Sequence, residues 1–149
     1  MSTPEKTLVD TDPFRHALRR YIAEAPSGFV ALGARDGAWT PTVSLPGAIS
    51  CRGGGPSDSP FIECVLSSSK VRSDADANFA ETVDHVEAIV PAWKKEDISQ
   101  FDMSRIFFAN GPAMSETTAS VDVAIVQLGD DYNVNLVVQS WNPESEPRP

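Results

Sequence analysis

The chain has 149 residues, 41% of them hydrophobic, 22% charged and 8% aromatic, and 12 basic against 21 acidic groups set its net charge at −9. That composition belongs to one globular domain and excludes collagen-like, coiled-coil and wholly disordered chains. The negative surplus, which lies entirely in residues 51–149, argues against direct binding to nucleic acid or to an anionic membrane, since both need a positive surface to displace counterions.

Residues 1–11 are polar and are expected to form a flexible arm, without the apolar stretch of a signal peptide. Asp12 followed by Pro13 predicts a helix start, a side-chain acceptor at the N-cap and then proline at the first helical position. Phe14, Ala17, Leu18, Tyr21, Ile22 and Ala25 repeat at helical spacing until Pro26-Ser27-Gly28 stops the run. The opposite side of this helix carries Arg15, Arg19 and Arg20. Phe29–Ala34 and Trp39–Leu45 predict a hairpin turning at Asp36-Gly37, with Pro41 placing the second strand at an edge or a bend. The Cys-Arg-Gly-Gly-Gly-Pro-Ser-Asp-Ser-Pro stretch, 51–60, reads as a loop with little to pack. Phe61–Leu66 follows as a strand, with Phe61, Glu63 and Val65 on one face and Ile62, Cys64 and Leu66 on the other.

Ser73-x-x-Asp76 resembles a capping box, with Asp74 and Asp76 in the first turn where the helix dipole favours them. Phe79, Val83, Val86 and Val90 form one apolar stripe, and Pro91 ends the helix, although Val86–Val90 is also β-rich. The run Ala88–Trp93 is far too short to span a membrane. A short helical turn is expected over 94–101 and a strand over Met103–Ala109, bounded by Asn110-Gly111-Pro112. Thr118–Leu128 and Tyr132–Trp141 predict a hairpin near the centre of the sheet, joined through Gly129-Asp130-Asp131. The proline-rich 142–149 reads as a disordered tail. The sum is a single α+β domain over 12–141: an antiparallel sheet of about five to six strands with two amphipathic helices packed on one face.

Several short patterns invite a chemical reading. Cys51, Cys64, His16 and His85 could supply a Cys₂His₂ zinc site, but structural zinc ligands come in close-spaced pairs and these do not. Cys64 with His85 and Asp84 imitates a nucleophile, base and orienting acid, yet Cys64 alternates with Ile62 and Leu66 and is expected to pack. Cys51, beside Arg52, is the more exposed thiol. Both cysteines are expected to stay reduced, as in a cytoplasmic protein. Ser67-x-x-Lys70 lacks any partner motif. Asp74-x-Asp76-x-Asn78 opens like a calcium loop, but Phe79 stands where glycine is required and His85 where glutamate is. The Arg52-Gly53-Gly54-Gly55 run leads into a strand instead of a helix N-terminus, which argues against a phosphate loop.

No catalytic residue, metal or cofactor is therefore assigned. The expectation is a small, acidic, cytoplasmic protein-binding module that holds or masks a protein partner, chaperone-like or immunity-like by analogy of size and charge alone. Its interaction residues would be Arg15, Arg19 and Arg20 on the first helix, Asp74, Asp76, Glu81 and Glu87 on the second, and Asp130 and Asp131 at the hairpin tip. The alternatives are a ligand-binding or enzymatic domain, its pocket lined by Trp39, Trp93, Trp141, Phe107 and Phe108, and an assembly subunit that forms a homodimer.

Overall fold

The computed structural model describes residues 3–56, 58–100 and 103–141. Helix α1 runs Thr3–Glu24 with Pro13 inside it, so residues 3–11, expected as an arm, are helical. The expected tail, 142–149, lies outside the described residues. Six strands follow: β1 Ser50–Gly54, β2 Phe61–Ser69, β3 Lys94–Asp97, β4 Arg105–Ala109, β5 Ala119–Leu128 and β6 Asp131–Ser140. Helix α2, Arg72–Ile89, connects β2 to β3. Every pairing is antiparallel and the order across the sheet is β1-β2-β6-β5-β4-β3.

The α+β class, the six-stranded sheet and the hairpin of β5 and β6 match expectation. That hairpin occupies the two central positions, closing at Leu128↔Asp131 across Gly129-Asp130. Alternation fixes what each face carries. Ile62, Cys64, Ile106, Phe108, Val121, Val123, Ile125, Val134, Leu136 and Val138 are buried on one face. Leu18, Tyr21, Ala75, Val83 and Val86 from the helices join them in the core. Three members of the expected α2 stripe, Val83, Val86 and Val90, are buried, while Phe79 packs partly exposed against them. The helix begins one residue before the proposed Ser73 cap, with Val71 at the N-cap position and no side-chain cap. Ser69 Oγ serves from upstream, accepting the Val71 N–H at 3.0 Å.

Beyond the N-terminal arm, three segments and one covalent bond depart from expectation, each for a physical reason. Residues 29–45 form no hairpin. Phe29 and Leu32 are buried while Val30 and Ala31 are exposed, a spacing of three, and Val30–Leu32 is a 3₁₀ turn. Gly28 and Phe29 both sit in the left-handed region, at φ 74 and φ 62, and break the strand before it starts. The glycine-rich stretch expected as a loop contains β1. Its glycines make room: a Cβ on Gly53 would lie 2.1 Å from Cε2 of the Trp39 indole. Trp39 and Gly53 also exchange backbone hydrogen bonds, N–H to O, at 3.2 and 2.7 Å. Residues Lys94–Asp97 are a strand, not a helical turn, because the outer edge of β4 offers a backbone ladder that requires no apolar side chains.

The fourth departure is covalent. Cys51 and Cys64 face each other across β1 and β2 and are joined as a disulfide, with Cα atoms 4.0 Å apart. The expectation of two reduced thiols is overturned, and the argument for a cytoplasmic location that rested on it falls too. Neither sulfur is free to serve in the zinc or nucleophile patterns. No described helix is long and apolar enough to cross a membrane.

Candidate interaction surface

The helices use one face of the sheet. The side chains of opposite parity form the other face, and they are mostly part-exposed: Phe61, Glu63 and Val65 on β2, Asn133, Asn135 and Val137 on β6, Asp122, Ala124 and Val126 on β5, and Phe107 on β4. Register aligns one row across all six strands: Arg52, Glu63, Val137, Asp122, Phe107 and Glu96. Neighbouring strands are about 4.8 Å apart, so from Glu63 to Glu96 charged and apolar side chains alternate along this row at close spacing.

Two ion pairs fix the charges. Arg52 Nη2 reaches Glu63 Oε1 at 2.8 Å, and Asn135 Nδ2 donates to the other Glu63 oxygen at 3.4 Å. Arg105 forks onto Asp122, with Nε 2.9 Å from Oδ2, and donating to this carboxylate raises the guanidinium pKa further. Planar pairing of this kind holds both partners in one geometry. The row is therefore a preset pattern, with Val137 and Phe107 as apolar steps between carboxylates.

The nine residues first singled out lie elsewhere. Arg19 and Arg20 are exposed on α1, with Arg20 3.7 Å from Glu24. Arg15 is part-buried and donates from Nε to His85 Nδ1 at 3.4 Å, so it is turned toward α2. Asp74, Asp76 and Asp131 gather at one end of the molecule: Asp76 pairs with Arg72 at 2.9 Å, Asp131 with Lys70 at 2.9 Å, and Ser69 Oγ donates to Asp74 at 3.4 Å. The Arg72 guanidinium also lies over the Tyr132 ring, 5.7 Å from its centre. Asp130 is exposed at the tip of the same hairpin. Glu81 and Glu87 lie further along α2, where Glu87 meets Lys95 and Glu81 Oε2 is 3.8 Å from His85 Nε2. The acidic positions thus form two groups, most of them already paired. The aromatic residues proposed to line one pocket are dispersed as well. Trp39 and Phe108 are buried in the core, Phe107 lies on the open face, and Trp141 donates from Nε1 to Ser120 at 2.9 Å.

A cleft of about 40 Å³ lies between β3, β4 and the 111–117 segment, lined by Lys94, Glu96, Phe107, Met114 and Thr117. It has room for a water or two, well below the roughly 300–1,000 Å³ of a ligand pocket. No family model, curated protein or solved structure matches this chain. The surface has to be interpreted from its own chemistry.

Sequence reasoning missed the row because its members come from six strands, and only pairing register sets them side by side. The detectable signal was the second parity of each strand, Glu63 between Ile62 and Cys64 and Asp122 between Val121 and Val123.

His85 supplies a pH-dependent contact between the two helices, on the side of the sheet away from the row. Burial, with the Arg15 cation next to it, lowers its pKa against the opposing effects of Glu81 and Asp84. The folded state therefore favours the neutral ring. Its contribution is complete above the unfolded value of about 6.5 and is lost as pH falls through the lower folded value. Thermal melts of the wild type should weaken between neutral and mildly acidic pH. A His85→Gln variant should lose that part of the slope, and an unchanged slope would remove His85 as its source.

Proposed function

We propose that this chain is a protein-binding module that holds a partner protein against the open face of its sheet. The supporting observation is the row through Glu63, Val137, Asp122, Phe107 and Glu96, in which part-exposed apolar side chains alternate with carboxylates across the five strands from β2 to β3. Apolar contact supplies affinity in such a surface, and the fixed charges supply register and discrimination. The row's three carboxylates, Glu63, Asp122 and Glu96, each meet a cation of the chain, Arg52, Arg105 and Lys94. A preference for a partner with basic side chains therefore comes from the −9 of the chain as a whole and not from the row. Attraction of this kind speeds encounter and is screened over a Debye length of about 8 Å at physiological ionic strength. The closed disulfide favours an oxidising compartment for this module.

Co-purification from the native host tests the proposal with two variants. Val137→Lys places a cation in the row, and Asp130→Lys/Asp131→Lys reverses the hairpin tip. The expected result is loss of the partner with the first and retention with the second, with capture by wild type weakening as salt rises. Retention by Val137→Lys would overturn the open-face assignment. A defined stoichiometric dimer of the chain itself in sedimentation, abolished by Val137→Lys, would replace the partner with a second copy.

A further inference from the structure

We propose that the Cys51–Cys64 bond is a thiol-exchange site, attacked by an external dithiol at the Cys51 sulfur, so that Cys51 and not Cys64 carries the mixed disulfide. The inference is independent of the open-face reading and rests on different residues.

The two sulfurs are unequal in access. Cys64 is fully buried on β2, flanked by Ile62 and paired in register with Leu136. Cys51 is part-exposed and lies on β1, the outermost strand at its edge of the sheet. Which sulfur of a disulfide is attacked depends on what the incoming thiolate can reach, and here only Cys51 presents a side to solvent. The exchange balances in two steps. A thiolate of the dithiol bonds to Cys51 Sγ, the Cys51–Cys64 bond breaks, and Cys64 leaves as a thiolate that takes up a proton. The second thiol of the reagent then attacks its own sulfur in the mixed disulfide and releases Cys51 as a thiol. The protein gains two electrons and the dithiol is oxidised to its disulfide.

The fold around the bond allows it to open without unfolding. Gly53 turns its N–H and C=O outward to Trp39, and alternation along the strand turns those of Cys51 outward too. Cys51↔Cys64 is therefore a position without backbone hydrogen bonds between β1 and β2, and breaking the sulfur bond removes none. The ladder positions Arg52↔Glu63 and Gly54↔Phe61 remain, as do the Arg52–Glu63 ion pair and the Trp39 contact over Gly53. Cys64 stays opposite Cys51 and can displace the adduct to close the bond again.

The oxidised, folded protein incubated with graded mixtures of reduced and oxidised glutathione, quenched with acid and mapped by mass spectrometry, tests this directly. The expected result is a glutathione adduct on Cys51 with none on Cys64. Amide protection of α2, β5 and β6 should be unchanged, while protection falls in residues 50–54. An adduct on Cys64, or opening of the bond only in denaturant that also unfolds β5 and β6, would overturn it. Single variants give a second readout. Cys64→Ser should leave Cys51 reactive toward a chromogenic disulfide in the native state, and Cys51→Ser should leave Cys64 slower by about tenfold or more. Equal rates in two folded variants would also reject the assignment, and if either fails to fold the wild-type adduct map decides alone.

Discussion

Replacing Trp39 with alanine should destabilise the protein by about 3–5 kcal/mol, the range for truncating a large buried aromatic. Trp39 is 4% exposed, lies over Gly53, and has its ring centre 6.1 Å from that of Phe29. Truncation opens a void at the edge of the core and uncovers the turn that carries Phe29. Trp39→Phe should cost less, because Nε1 has no hydrogen-bond partner among the described residues and phenylalanine removes that buried donor while keeping most of the ring. Gly53→Ala approaches the same contact from the other side. Its new methyl would sit 2.1 Å from the indole, so the ring or the strand must shift, at a cost of about 1–3 kcal/mol. Urea denaturation followed by circular dichroism gives all three values. A Trp39→Ala midpoint close to wild type would show that this contact does not hold the segment.

The second large effect separates two adjacent residues of β6. Leu136→Lys buries an ammonium in the core, where the desolvation penalty alone is several kcal/mol, and it also forfeits about 2–5 kcal/mol of leucine packing. Domains of this size have only about 5–15 kcal/mol in total, so the variant should show no cooperative melt. Val137→Lys, one residue along, places the same side chain on the open face between Glu63 and Asp122, its cross-strand neighbours in register. Opposite charges there contribute roughly 0.2–1 kcal/mol, and the melting temperature should stay within a few degrees of wild type. If Leu136→Lys folded and Val137→Lys did not, the two faces of the sheet would have to be exchanged.

How much of this was legible in the chain follows from the range of each signal. The β5–β6 hairpin and the inward faces of β2 and β6 are local alternations, and Ile62, Cys64, Val134 and Leu136 announce them without help from distant residues. The C-terminal end of α2 is local too, set by Pro91. What could not be read depends on distant partners. Lys94–Asp97 has no apolar period and becomes a strand because β4 lies beside it. The glycines of β1 look like slack until an indole fourteen positions upstream of Gly53 lies across them. Twelve intervening residues gave Cys51 and Cys64 the appearance of unrelated thiols, and only the β1–β2 register places them opposite each other. The open face was hidden for the same reason. Its ion pairs, Arg52 with Glu63 and Arg105 with Asp122, join residues on different strands.

The sheet order also bears on how the chain reaches its native state during synthesis. β2 is complete by Ser69, yet its inner neighbour is β6, Asp131–Ser140, the last of the described strands. Until that strand leaves the ribosome, β2 has β1 on one side and an unfilled backbone edge on the other, with the apolar side of α2 waiting over a floor that lacks its middle. The two halves of the sheet can be joined only when β6 slots between β2 and β5, so closure is a late, long-range event. Domains dominated by such distant pairings fold in roughly milliseconds to seconds, slower than helical bundles of similar stability. Nascent chains halted before Asp131 should therefore be protease-sensitive across both helices, and release of the last strand should confer resistance on the whole domain in a single step.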